Sequence, residues 1–229
     1  HPGLVVVGAY LFDSTLNGGV NNTGVIHGAT GGVLVGSTAT LSGGITNNAG
    51  TISGGTDIGI FLSKSSLLSG GVDNMAGGTI SGGKTGIAVD GTSKITGGIT
   101  DNGLITGALA GINNAGRVTG AVTAISVAGG GKVAGGGIVN TGVVAAPGID
   151  IAATGTGTDI SGGIHNNAGG VLTGAATAIF VGGGAAVSGG IDNSGDIGAA
   201  GAAVKVSGAG STVSAITNSL LMAAVQDIF

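Results

Sequence analysis

Few side chains in this sequence could do chemistry, and their spacing decides whether they do. Gly78-Thr79-Ile80-Ser81-Gly82-Gly83-Lys84-Thr85 spells the phosphate-binding pattern G-x-x-x-x-G-K-[ST]. That loop works when it follows a strand and opens a helix whose N-terminus holds the phosphates. Here Ile87-Ala88-Val89 follows with strand-like alternation, and Gly50 to Thr56 repeats the text without a lysine. The match therefore reads as repeat text. Carboxylates are the next candidates, because enzymes that cleave acidic polysaccharides on a β-helix need clustered acids beside a base. All ten acidic residues are Asp. Asp73 and Asp192 fall at one repeat position several turns apart, Lys94 and Lys132 at another, and Asp57, Asp90, Asp150 and Asp159 scatter through turns and outward positions. No catalytic residue emerges, and an enzyme is not expected. The three histidines (His1, His27, His165) occupy different repeat positions and there is no cysteine, so neither a metal centre nor a cofactor site is expected. Asn21-Asn22-Thr23 matches a glycosylation sequon, but it lies within the repeat pattern.

The composition explains this poverty. Glycine fills 55 of 229 positions, while charged residues make up 7% and aromatics 2%. Yet 42% of the residues are apolar, too many for a solvated disordered chain. No apolar run reaches the roughly 18 residues of a membrane-spanning helix. Collagen is excluded, since glycine does not recur every third residue and there are two prolines. Glu is absent and turn formers abound, which disfavours helices. A net charge of −4 with six scattered basic residues argues against a nucleic-acid partner.

The chain repeats. An apolar residue, a variable residue and then Asn recur with the third position at Asn22, Asn47, Asn74, Asp101, Asn114, Asn140, Asn166, Asn193 and Asn218. The spacings are 25, 27, 27, 13, 26, 26, 27 and 25. Each unit holds four short segments that alternate with period two, as strands do. The first is the Asn anchor. The second reads Gly-x-apolar-x-Gly, as in Gly50 to Gly54. The third reads apolar-x-apolar, as in Ile60-Phe61-Leu62 and Ile179-Phe180-Val181, with a freely varying middle residue. The fourth leads into a Gly-Gly corner, as in Leu68-Ser69-Gly70-Gly71.

Such short strands bury little alone, so successive units must stack. The expected fold is all-β: a parallel β-helix (β-solenoid) of about eight coils of roughly 27 residues, with the solenoid repeats over 16–218. Asn tolerates corner geometry, and its amides can bond those above and below in a ladder. The spacing of 13 interrupts this scheme. It predicts that residues around 100–111 leave the stack as a loop, or that the coil there is distorted, as a duplication scar would leave it.

The ends differ from the middle. Residues 1–15 contain the apolar run Leu4, Val5, Val6, Val7, Gly8, Ala9, Tyr10, Leu11 and Phe12. Residues 219–229 place Leu221, Val225 and Ile228/Phe229 at helical spacing, which fits a short C-terminal helix with Ser219 as N-cap. Both ends read either as caps over an open solenoid or as joints between copies, with Leu220 included in the latter. Phe61 and Phe180, at outward positions, are candidates for lateral contacts. His1-Pro2 is a poor initiator pair and fits a processed chain.

The text Gly44-Ile45-Thr46-Asn47-Asn48-Ala49-Gly50-Thr51-Ile52-Ser53-Gly54, with its counterpart from Gly163 to Gly174, resembles the repeats of autotransporter passenger domains and filamentous-haemagglutinin-like surface proteins of Gram-negative bacteria. The resemblance covers roughly residues 16–218 and implies export, an extracellular stalk, and roles in adhesion, aggregation or matrix building. It departs in lacking the C-terminal membrane barrel of a self-transporting protein. The function expected is a secreted, non-enzymatic subunit that polymerises with copies of itself into a filament or matrix fibre. The alternative is an adhesin stalk that binds cell-surface or matrix glycans.

Overall fold

Alternation of period two with glycine corners yields a coiling path of very short strands, and the structure follows it turn after turn. This computed structural model describes residues 7–219 and the backbone of the strand Met222–Ile228. Each turn passes through four columns of strands. Column one is a nine-stranded sheet running from Val7–Phe12 through Gly31–Gly36, Ile58–Leu62, Thr85–Val89 and Ala110–Asn114 to Ile216–Asn218. Columns two and three together form a sixteen-stranded sheet. Column two begins at Thr15–Leu16 and column three at Val20–Asn22, and the long strand Asp196–Ser207 bridges them. Column four is an eight-stranded sheet from Val25–Gly28 to Thr212–Val213. Every pairing is parallel and between successive turns; in column three, for example, Val72 lies between Ile45 and Ile99, 27 residues away on either side.

The core is a set of aliphatic stacks, one residue per turn at each inward position. Column four stacks Ile52, Ile80, Ile105, Val133 and Ile160, none of them exposed. Column two stacks Leu41, Leu68, Ile95, Val118 and Val144 in the same way. Each such side chain contributes roughly 1.5–3 kcal/mol of burial, but only because neighbouring turns cover it. Corners demand glycine where the backbone turns left-handed. Gly44, Gly71 and Gly98 turn from column two to column three at φ +79°, +78° and +82°.

Both ends of the described chain are strands. The described part of the apolar N-terminal run, Val7–Phe12, pairs in register with Gly31–Gly36 as the first strand of column one. The C-terminal segment is no helix: Met222–Ile228 is a strand laid parallel along Asp196–Ser207. An isolated eleven-residue helix is marginal, whereas the edge of the last turn offers backbone partners at once. Leu4, Val5, Val6, Leu220, Leu221 and Phe229 lie outside the described residues.

Candidate functional site

The Asn anchors do form hydrogen-bonded ladders, and there are two of them. In column three, Asn22 Nδ2 donates to Asn47 Oδ1 at 2.8 Å, Asn47 to Asn74 at 2.8 Å, and Asn74 to Asp101 at 2.7 Å. In column one, Asn114 donates to Asn140 at 2.9 Å, Asn140 to Asn166, Asn166 to Asn193 and Asn193 to Asn218, each of these three at 2.8 Å. Both ladders run with the same polarity, amide up and carbonyl down. Many rungs also donate to backbone, as Asn47 does to Gly50 O at 3.0 Å and Thr79 O at 3.1 Å. Buried amides thus donate both within their own turn and to the turn above, and the second set ties the register between turns.

The spacing of 13 is where one ladder stops and the other starts. Residues 100–111 neither leave the stack nor bulge from it: Leu104–Gly107 pairs with Thr79–Gly82 below, and Leu104 and Ile105 pair with Lys132 and Val133 above. Instead the repeat text slips by half a turn. The anchor Ile112-Asn113-Asn114 stacks on the third segment Ile87-Ala88-Val89, and Ile99-Thr100-Asp101 is covered by the third segment Ile125-Ser126-Val127. The same shift sets Arg117-Val118 on Lys94-Ile95. Both halves of a turn have one shape, an apolar-x-inward strand followed by a short x-apolar strand, so either can stack on the other. The left-handed corner glycines move too: beyond the slip they are Gly137, Gly163 and Gly190 at φ +70°, +86° and +84°, between columns four and one.

Slippage redistributes the charged residues. Lys94 and Lys132, assigned to one position from the repeat text, lie in columns two and four. Asp73 and Asp192 likewise part, to columns three and one. Phe61 faces outward on column one between Leu34 and Ala88, and Phe180 on column three between Ala152 and Lys205, both half-buried. These rings therefore occupy different faces. At the N-terminal edge Tyr10 and Phe12 are 55% and 52% exposed, with ring centroids 5.5 Å apart in an edge-to-face pair. Val7 and Leu11 alternate with them on the inner side, and Leu11 packs against the core. Ile228, in the last strand, lies opposite Val204 in register, and Val225 belongs to the same strand.

Two buried carboxylates stand out. Asp101 ends the first ladder, where an acceptor without a donor suits the last rung; its Oδ1 takes Asn74 Nδ2 and Gly103 N at 3.1 Å. Its Oδ2 is buried without a partner, and burial pushes its pKa up to about 6. Asn114, at the foot of the second ladder, leaves its Oδ1 unpartnered in the same way. Asp150 was assigned from sequence to turns and outward positions, but it is fully buried. Neighbouring turns carry Ala124, Ala178 and Ala203 at that register. The Asp150 Oδ1 accepts Ala146 N at 2.9 Å, its Oδ2 has no partner, and burial raises its pKa to about 7. An Asp interrupting an Ala position was the signal that sequence reading passed over.

The phosphate-loop text resolves as coil. Thr79–Gly82 is a column-four strand with Ile80 in the core, and Lys84 Nζ pairs with Asp57 at 3.1 Å. Among the described residues no group of three or more His, Cys, Asp or Glu could hold a metal ion, and no helix is long and apolar enough to cross a membrane. Fold and ladders together define a parallel β-solenoid of repeated turns. Compared with protein families, curated proteins and solved structures, the chain matches none.

Proposed function

We propose that this chain is an exported, non-enzymatic structural protein of a bacterial surface, adding head to tail to copies of itself in an extracellular filament or matrix fibre. The observation that carries this reading is the edge of the first described turn. Val7–Phe12, Thr15–Leu16, Val20–Asn22 and Val25–Gly28 pair upward with the next turn and with nothing below among the described residues. Open parallel edges recruit further strands, and a heterologous contact of this kind repeats without closing. Tyr10 and Phe12 add exposed apolar area beside that edge. The likeness of the Gly-Ile-x-Asn text to passenger-domain and haemagglutinin-like repeats supports export and an extracellular location. A second reading, an adhesin stalk, is favoured by the exposed, adjacent cations Lys94 and Arg117.

Negative-stain electron microscopy of the full chain beside a version lacking residues 1–12 tests the polymer. Unbranched filaments from the full chain alone are expected. Short single rods in both samples would contradict self-assembly and leave the adhesin reading.

A further inference from the structure

The chain has six basic residues, and the half-turn slip sets two of them side by side. Lys94 and Arg117 occupy the same outward position on successive turns of column two, both exposed. Rungs of a parallel sheet are roughly 4.8 Å apart, and like charges on neighbouring rungs repel. No ion-pair partner exists for either among the described residues, whose ion pairs are Lys84 with Asp57 and His165 with Asp192. The flanking positions in the column are Leu67 below and Val143 above. Asp90, the nearest carboxylate before Lys94 in the chain, is turned onto backbone amides of Lys64, Thr92 and Ser93 at 2.6, 3.0 and 2.9 Å. By contrast, Lys132 has Asp159 on the next rung of column four.

Arg117 also lines a shallow, open groove of about 370 Å³ where column two turns into column three. Thr119, Gly120, Ala145, Pro147 and Thr173 line it, so the groove crosses three successive turns with small walls and two hydroxyl-bearing residues. This corner is three residues long on both sides of the slip, but before it the passage ends in Gly-Gly (42–44, 69–71, 96–98), and after it the passage reads Gly120-Ala121-Val122 and Ala146-Pro147-Gly148. A guanidinium recognises carboxylate or sulfate bidentately, and a lysine adds a point charge. Hydroxyls along an extended groove suit a chain of hydroxylated units. Nucleic acid fits less well, because no aromatic ring lines the groove to stack a base, and the net charge is −4.

We propose that Lys94, Arg117 and the Thr119–Thr173 groove bind an anionic polysaccharide, with carboxylate or sulfate groups seated on the cation pair and the sugar chain running across the turns. The site is independent of polymerisation and stands if the filament reading fails.

The test uses the full chain with fluorescently labelled polygalacturonate and dextran sulfate in polarisation titrations at low and moderate salt. Neutral dextran, inorganic sulfate and a single-stranded oligonucleotide are the comparison probes. One or both anionic polymers should bind, and binding should weaken with salt. Arg117→Gln should weaken it at least about tenfold, the scale of one lost bidentate charge-assisted contact, with a smaller loss for Lys94→Gln. Lys132→Gln and Lys205→Gln, on other columns, should change it less than about twofold, and all four variants should keep the parent thermal midpoint. Whichever polymer binds tells a uronate from a sulfate ligand. The proposal is overturned if neither polymer binds, if Arg117→Gln and Lys132→Gln lose affinity equally, or if dextran, sulfate ion or the oligonucleotide binds as tightly as the polymer.

Discussion

Turns before residue 101 and turns after residue 114 carry the same repeat text, yet each segment of that text occupies a different column in the two regions. Before the slip the Asn anchor lies in column three and the apolar-x-apolar segment in column one; after it the two exchange places. The inner stacks run through without a break, since Ile87 meets Ile112 and Ile99 meets Ile125. What suffers is the polar ladder, which must end against Val127 on one face and begin above Val89 on another. Aliphatic packing is indifferent to which segment supplies a rung, and hydrogen-bonded amides are not. The outer surface changes most, because every outward residue beyond the slip moves to another face, bringing Arg117 over Lys94.

The largest expected effect comes from undoing the slip. Deleting residues 102–114 together with Asp101→Asn joins the anchor at Ile99 directly to Ala115, which restores a spacing of about 26 to the anchor at Ile138. The variant should fold, carry a single ladder, and place Lys132 rather than Arg117 over Lys94. A cysteine pair at 94 and 132 should then oxidise in the variant and remain reduced in the parent.

Next in size is the pH dependence. Asp101 and Asp150 have pKa values raised to about 6 and about 7. Below pH about 4 they are protonated whether the chain is folded or not, and their full contribution to stability is present. As pH rises through 6 and 7, the unfolded chain has already released protons that the folded chain still holds, so stability falls. The loss should reach about 4 kcal/mol for Asp150 and about 3 kcal/mol for Asp101, at about 1.4 kcal/mol per pKa unit. Urea unfolding at pH 5 and pH 8 should show the fall, and Asn at position 150 should flatten its upper part. Equal stability at both pH values would mean that these carboxylates are solvated.

Within the ladders, interior and end rungs should respond unequally. Asn140→Ala strips Asn114 of an acceptor and Asn166 of a donor, and should destabilise by about 2–4 kcal/mol in chemical denaturation. Asn114→Val removes an amide whose carbonyl already lacks a donor and whose lower neighbour is Val89. It should cost less than about 1 kcal/mol. Similar costs at both positions would remove the distinction between the middle of a ladder and its end.

Much of this was legible in the residues. Short alternating segments, Gly-Gly corners and the Ile-x-Asn anchor led directly to a parallel solenoid with an amide ladder, because each signal is local. The slip was visible as a spacing of 13 but not interpretable, since both halves of a turn alternate alike and only stacking shows which strand lies above which. Columns of charge drawn from repeat phase therefore failed beyond residue 114, for Lys132 as for Asp192. Apolar residues three and four apart over Leu221–Phe229 suggested a helix, but so short a run is equally compatible with a strand, and the open edge of Asp196–Ser207 decided it. The candidate cation site was illegible for the same reason as the slip that creates it.

The half-turn slip is tested most directly by disulfide pairing across it, in a chain with no native cysteine. Thr100 lies opposite Ser126 in register, and adjacent strands bring Cα atoms within disulfide range. The pair Thr100→Cys/Ser126→Cys should oxidise readily, while Thr100→Cys/Asn113→Cys, which joins equivalent positions in consecutive anchors, should stay reduced. Oxidation of the second pair and not the first would show that the anchors form one continuous ladder and that the slip does not exist.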